Sequence, residues 1–420
     1  MNSPTVTLDA DVVIAGAGLS GLSLAVALLD AGLPESARVV LIDPRAILDG
    51  DDRTWCYFDA APHPFEAAVA HRWKRWRVRN GGAEVVRSAA GITYCHIPGP
   101  RFYAHALARL DAAGARVRLI LGTAVASLDD RGDHVEVHTS AGILRARLAM
   151  DSRPPRLTDA TRSNTGTRLA TDGHVRLLQH FRGRVVHAPT PAFDVDVATL
   201  MDFDVSQEHG IHFAYVLPFD AHTALVESTF FTERLLPEPV YERAIDAWLA
   251  ARLPRHEFTT RSHEHGVIPM TTEPFDAWPS PRVVRIGTAG GHAKSSTGYA
   301  FLAVQRFARD FAPRIVTALR AGTHAEPPMV RRARTTALDT VFLSYLRRYP
   351  EHAPSTFFRL FERVLPAVLV RFLSDTGSVA DDLRVMRAGD LARLTLEAAR
   401  ATPLLRQTLP SVRRGPSAGR

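Results

Sequence analysis

The stretch Asp11-Val12-Val13-Ile14-Ala15-Gly16-Ala17-Gly18-Leu19-Ser20-Gly21 decides the fold of this 420-residue chain. An apolar run suited to a strand meets three glycines in G-x-G-x-x-G spacing and passes into Leu19 to Leu29, whose apolar residues recur with helical period. The turn Ala31-Gly32-Leu33-Pro34 follows, then a second apolar strand, Arg38 to Ile42, running into Asp43 and Pro44. Such a strand, helix, strand unit grips a dinucleotide. Gly16 makes the tight turn, Gly18 lets backbone N–H groups approach a pyrophosphate, and Gly21 lets helix and strand pack closely. The helix N-terminus faces the phosphates. Asp43 is placed to accept from an adenosine ribose hydroxyl and to repel a 2′-phosphate.

Farther along, Arg285-Ile286-Gly287-Thr288-Ala289-Gly290-Gly291 offers a second glycine-rich strand-to-helix segment, with its helix expected to begin near Gly298. A late return of this kind distinguishes flavoproteins of the glutathione-reductase and hydroxylase type from nicotinamide dehydrogenases. Thr288 stands where such hydroxylases carry Asp, which weakens a hydroxylase reading. Between the two segments lie a helix at about 101–113, an alternating stretch at 117–150, and strands with aromatic alternation at 170–270 that fit a mostly antiparallel sheet. The expected fold is therefore α/β: a three-layer FAD-binding Rossmann lobe (8–170 with 280–335), an inserted antiparallel substrate lobe (171–279) and C-terminal helices (336–410). Residues 411–420 are expected to form a disordered tail.

Composition excludes several classes. No window reaches the roughly 18 apolar residues of a membrane span. The 20 Phe, 8 Tyr and 5 Trp supply burial that a disordered chain lacks. The net charge of +7 permits contact with anionic surfaces without specifying one. Cys56 and Cys95 have neither metal-ligand spacing nor the density of a disulfide framework, and the start of the chain lacks a basic-then-apolar leader, so a reducing, cytoplasmic location is expected.

Several motifs together resemble the bacterial lycopene beta-cyclases. They are Gly287 to Gly291 through Lys294, Ser296-Thr297-Gly298-Tyr299 and Phe301; Met201-Asp202-Phe203 with Gln207; and Phe213 with Tyr215-Val216-Leu217-Pro218 and Ala224-Leu225-Val226-Glu227-Ser228-Thr229. Asp52-Arg53-Thr54-Trp55 and Gly266-Val267-Ile268-Pro269 extend the likeness over about residues 8–345. The resemblance implies a non-redox cyclisation of acyclic carotenoid ends to beta-ionone rings. FAD would be held reduced by NAD(P)H, with Gly16, Gly18, Gly21, Asp43, Gly287, Gly290, Gly291 and Gly298 binding it. Many relatives carry a second acid after the Glu of this motif. Here it is Ser228, which leaves the acid chemistry of that motif to Glu227. The rival enzyme is a flavin monooxygenase or isoprenoid reductase, which would consume NAD(P)H.

Protonating an isolated alkene demands a carboxylic acid kept neutral in a dry pocket. If Pro218 faces Ala224 in a hairpin, Glu227 lies opposite Tyr215, with Phe213 and Leu217 on the same face; a slip of one residue would substitute Ala214. Phe213, Tyr215, Phe230 and Phe231 would stabilise a cation through their ring faces, and Leu217 and Thr229 complete the expected substrate pocket. His263-Glu264-His265 lacks a third ligand, so no metal is expected. His292 sits within the flavin segment, as a neighbour of the ring system or as a structural residue. Trp73 and Trp76 among Arg72, Arg75, Arg77 and Arg79 read as an alternating strand rather than a nucleic-acid surface. The C-terminal run of Val341, Phe342, Tyr345, Leu346, Phe357, Phe358, Phe361, Leu365 and Leu369 among arginines suits either a bilayer surface or helices packed on the core. Peripheral contact with the inner face of the cell membrane is the expectation carried forward.

Overall fold

Three sheets organise residues 7–48, 53–154 and 174–408, the residues that the computed structural model describes. The expected lobe boundary at 170–171, the tail 411–420 and Asp52 lie outside them. In the first sheet, Val117–Ile120, Val39–Ile42, Ala10–Ala15 and Gly142–Asp151 run parallel side by side, and Val283–Arg285 joins the last of these, also parallel. The antiparallel strands Val135–Thr139 and Val125–Asp130 extend the other edge. Val12 and Ile14 pack with the helix Leu19–Asp30, whereas Val13 joins a separate cluster with Val40, Val135 and Ala149. Burial on both faces explains why the strand at 10–15 reads as a continuous apolar run.

The second sheet has seven strands in the order Thr259–Thr271, Arg176–His187, Thr223–Thr232, Ile211–Pro218, Val197–Asp202, Arg75–Asn80 and Ala83–Arg87. All pairs are antiparallel except Val197–Asp202 with Arg75–Asn80. The sheet thus draws on residues 75–87 as well as the expected insertion. Trp76 and Val78 point inward there, while Arg75, Arg77 and Arg79 face Asp196, Asp194 and Glu84. One sheet face carries the helix Glu238–Arg252 over Ala214, Val216, Ala224 and Val226.

The opposite face shares its core with the C-terminal helices Ala333–Arg348, Ala353–Arg363, Pro366–Leu373, Val379–Ala388 and Leu391–Arg400. Tyr345, Leu346, Phe357, Phe361 and Leu369 are buried in it, so most of the residues that suited a bilayer in the sequence serve as core. Leu365 is the exception, at 70% exposure. Among the described residues, no helix is long and apolar enough to cross a membrane.

Candidate functional site

A cavity of about 980 Å³ runs from the first glycine turn, past the late glycine segment, to the second sheet and the C-terminal helices. At its start the three glycines divide their work. Gly16 has φ of +102°, and a Cβ there would lie 2.5 Å from Ser152 Oγ. A Cβ on Gly21 would lie 2.0 Å from the Gly16 carbonyl oxygen, so Gly21 lets helix and strand meet, and it does not line the cavity. Gly18 lines the cavity, and its Cβ would meet no protein atom within 4 Å. That vacant shell beside a helix N-terminus fits a pyrophosphate. Asp43 also lines the cavity and accepts from the Ala17 N–H at 2.7 Å and from Arg45 Nε at 2.8 Å. Burial raises its pKa, but the bonds from Arg45 and Ala17 outweigh burial and lower it.

The late segment folds onto this start. Gly287, at φ +69°, comes so near the first helix that a Cβ would lie 2.7 Å from Ser20 Oγ. Gly298, at φ +72°, lies against Gln179, and the helix Phe301–Ala321 begins three residues later. Gly287, Thr288, Ala293 and Gly298 line the cavity. Gly290 and Gly291, expected to approach the flavin, do not. Their absent side chains give way to the Arg285 carbonyl and the Phe275 ring, so both shape the turn beneath. His292 is buried and accepts from the Gly287 N–H at 3.1 Å, with burial pushing its pKa down to about 3. Its ring packs on Phe307 at 4.3 Å, and it does not line the cavity.

Farther in, the hairpin has the register that pairs Pro218 with Ala224 and Tyr215 with Glu227. Glu227 in turn pairs with Gly183, and Gly183 with Glu264. Tyr215, Glu227 and Glu264 all line the cavity. Glu227 is only 7% exposed, and Thr229 Oγ1 donates to its Oε1 at 2.5 Å. Burial, then the neighbouring Glu264 charge, raises the Glu227 pKa well above the carboxylate range, against the pull of Thr229. The Tyr215 hydroxyl bonds to that of Tyr94 at 2.9 Å and to the Cys56 thiol. Burial lifts all three groups, so they stay neutral.

Phe213 and Phe231 line the cavity as expected. Leu217 shares their sheet face but is buried in the core behind. Phe230 belongs elsewhere. One residue along the strand, it faces the helix Glu238–Arg252 and stacks on His212 at 4.0 Å, so it cannot meet a substrate here. Ser228 shares that face and bonds to His212 Nε2 at 2.9 Å.

Glu264 escaped the sequence reading, which weighed it only as part of a metal cluster. His263 pairs with Arg184 and His265 with Arg182, so strand alternation turns both imidazoles away from the carboxyl between them. A glycine inside the twelve-residue strand Arg176–His187 was the available signal, since mid-strand glycine marks a close approach. Among the described residues, Asp59, His63 and Glu66 could gather around a metal, but Arg72 bonds both carboxylates. Asp202 of the Met201-Asp202-Phe203 motif is fully buried and accepts from Trp248 Nε1 and Arg252, a structural post behind the sheet.

A family model described as "Lycopene cyclase protein" matches residues 11–392. No curated protein matches the sequence. Among solved structures, a geranylgeranyl bacteriochlorophyll reductase-like protein from Thermoplasma acidophilum superposes with a TM-score of 0.60 at 11% identity, over 94% of this chain and 99% of that one. p-Nitrophenol 4-monooxygenase from Pseudomonas putida gives 0.56 at 16%, over 95% and 99%. Aklavinone-11 hydroxylase, in a complex with FAD and aklavinone, gives 0.57 at 15%, over 83% and 71%. At these identities the likeness is one of fold.

Proposed function

This chain belongs to the lycopene cyclase family, and we propose that it is a lycopene beta-cyclase, closing acyclic carotenoid ends into beta-ionone rings. One observation carries the reading: Glu227, a carboxylic acid kept neutral by burial, sits in the wall of a cavity continuous with a dinucleotide-fitting groove. Glu227 donates its proton to the terminal double bond and leaves a tertiary cation. The internal double bond attacks that cation, forming the ring carbon–carbon bond. Loss of one ring proton then makes the ring double bond and reprotonates Glu227, so the sum is an isomerisation with no net electron transfer.

The faces of Phe213, Tyr215 and Phe231 stabilise the cation and keep out water that would trap it as an alcohol. Gly18, Asp43, Gly287 and Gly298 fit FAD, which when bound in its reduced form, with NAD(P)H as donor, supplies negative charge beside the developing cation. The cavity mouth suits a hydrocarbon drawn from a bilayer. Val379 and Leu383 line the cavity and are yet 61% and 48% exposed, and Leu391, Leu396, Arg384 and Arg387 on the same two helices are exposed as well, an apolar surface with cations suited to a lipid headgroup layer.

Pigment chromatography of a lycopene-accumulating bacterium expressing the gene tests the function. Cyclised carotenoid, formed by purified enzyme without stoichiometric NAD(P)H consumption, is expected. Unchanged lycopene in the presence of flavin-loaded protein would overturn it.

A further inference from the structure

The wall between the late glycine segment and the second sheet holds an amide oxygen with nothing to bond. Gln179, on the strand Arg176–His187, is half-buried and lines the cavity, yet its Oε1 is shut off from solvent and has no hydrogen-bond partner. Folded proteins keep few such acceptors, because the water bonds given up on burial go unreplaced. Strand alternation sets the amide among apolar neighbours. Phe181 follows it on the same face, and its register partners there are Phe231 and Ile268; all three line the cavity.

Gly298 closes the remaining side. A Cβ there would lie 2.4 Å from Gln179 Oε1 and 3.2 Å from its Cδ, so the glycine makes room for the amide as well as holding φ at +72°. The late glycine segment and the sheet, far apart in sequence, thus meet over one unpaired acceptor.

A polyene offers neither donor nor acceptor, so the hydrocarbon cannot satisfy this amide. An isoalloxazine ring offers both. Resting on the reading of the glycine groove as an FAD site, we propose that Gln179 is a flavin-contacting residue that favours the reduced ring over the oxidised one. Reduction adds an N–H group to the ring, which needs an acceptor, and Oε1 is an acceptor left without a donor. The terminal amide torsion is broad and roughly two-fold, so the oxygen turns readily from Gly298 toward the cavity. The oxidised ring lacks that N–H and gains less from the contact. A reaction that needs reduced flavin without consuming it is served by this bias, which holds the cofactor in its working state from one turnover to the next. Gln179 stands four residues from Gly183, the register partner of Glu227, so replacing it leaves the acid's own neighbours in place.

Gln179→Met and Gln179→Leu replace the amide by apolar groups of similar bulk. Fluorescence titration reads the affinity for oxidised FAD, dye-coupled reductive titration of the loaded protein reads the midpoint potential, and urea unfolding of the flavin-free protein reads stability. Both variants should hold oxidised FAD within about twofold of wild type and reduced FAD about fivefold more weakly, so the midpoint of the bound flavin becomes more negative. Flavin-free stability should be equal or higher, since an unbonded acceptor has left the wall.

Midpoints unmoved in both variants overturn the proposal. So does a loss of stability with equal weakening of both redox forms, which marks a merely structural amide. Wild type that binds no FAD would overturn the groove reading itself. A shifted midpoint in protein that leaves lycopene untouched supports the contact and sinks the cyclase reading alone.

Discussion

Replacing Gly18 and Gly21 separately by Ala should split ligand binding from folding. A Cβ at position 21 would sit 2.0 Å from the Gly16 carbonyl oxygen and 3.2 Å from Ile14 Cγ2, inside a fully buried interface. Backbone must move by more than 1 Å there, since apolar contacts relax at about 3.5–4.0 Å. Overpacking of this kind costs about 1–3 kcal/mol, partly offset by the roughly 0.5–1 kcal/mol that Ala gains over Gly in a helix. Position 18 differs. Its φ of −87° and ψ of −162° suit any residue, and no protein atom stands within 4 Å of the new methyl group. Its stability should stay within about 0.5 kcal/mol of wild type. The methyl group nevertheless enters the space assigned to the pyrophosphate, so FAD affinity should fall about tenfold or more, equivalent to about 1.4 kcal/mol. Urea unfolding of the flavin-free proteins and fluorescence titration with FAD read the two quantities. Wild-type FAD affinity in Gly18→Ala would refute the placement of the phosphates.

Glu227→Gln should lower cyclisation by at least about 10²–10⁴-fold, read by product chromatography. Its stability has a pH signature as well. Above the ordinary carboxylate pKa of 4.5, the folded wild type holds one proton more than the unfolded chain until its raised pKa is reached, so stability falls as pH rises, by about 1.4 kcal/mol per unit. The Gln variant should flatten that slope in urea titrations; an unchanged slope would show that Glu227 is ionised in the fold. Lys294→Met leaves Asp339 and Asp375 without the ammonium that lies 2.8 and 2.9 Å from them, which should cost about 3–5 kcal/mol in chemical unfolding. Asp202→Asn, which weakens the bonds to Arg252 and Trp248 behind the sheet, should lower the unfolding midpoint while leaving the product spectrum of the surviving enzyme unchanged.

Local chemistry explains which parts of this site could be read from the chain. The glycine turn was legible because its strand, loop and helix are contiguous, each with its own periodicity. Glu227 opposite Tyr215 was legible because a short polar loop fixes the hairpin register, and a one-residue slip would have turned the acid to the far face. Phe230 shows the limit of that reasoning. Aromatic character suggested a pocket residue, but period-two alternation from Glu227 already assigned it to the opposite face, where it meets His212. Glu264 was illegible for another reason. Its meeting with Glu227 depends on two successive long-range pairings through Gly183, across the 36 residues that separate the acids in sequence, and no local pattern specifies them. Two of the late glycines failed for want of the same information: Gly290 and Gly291 lie in the right motif, yet only the Arg285 carbonyl and the Phe275 ring, brought against them by folding, reveal that they shape a turn. A motif therefore located the cavity, whereas sheet register decided which side chains enter it. The chemistry proposed here depends on that register, because moving the strand Thr259–Thr271 by one residue would replace a carboxyl beside Glu227 with an imidazole.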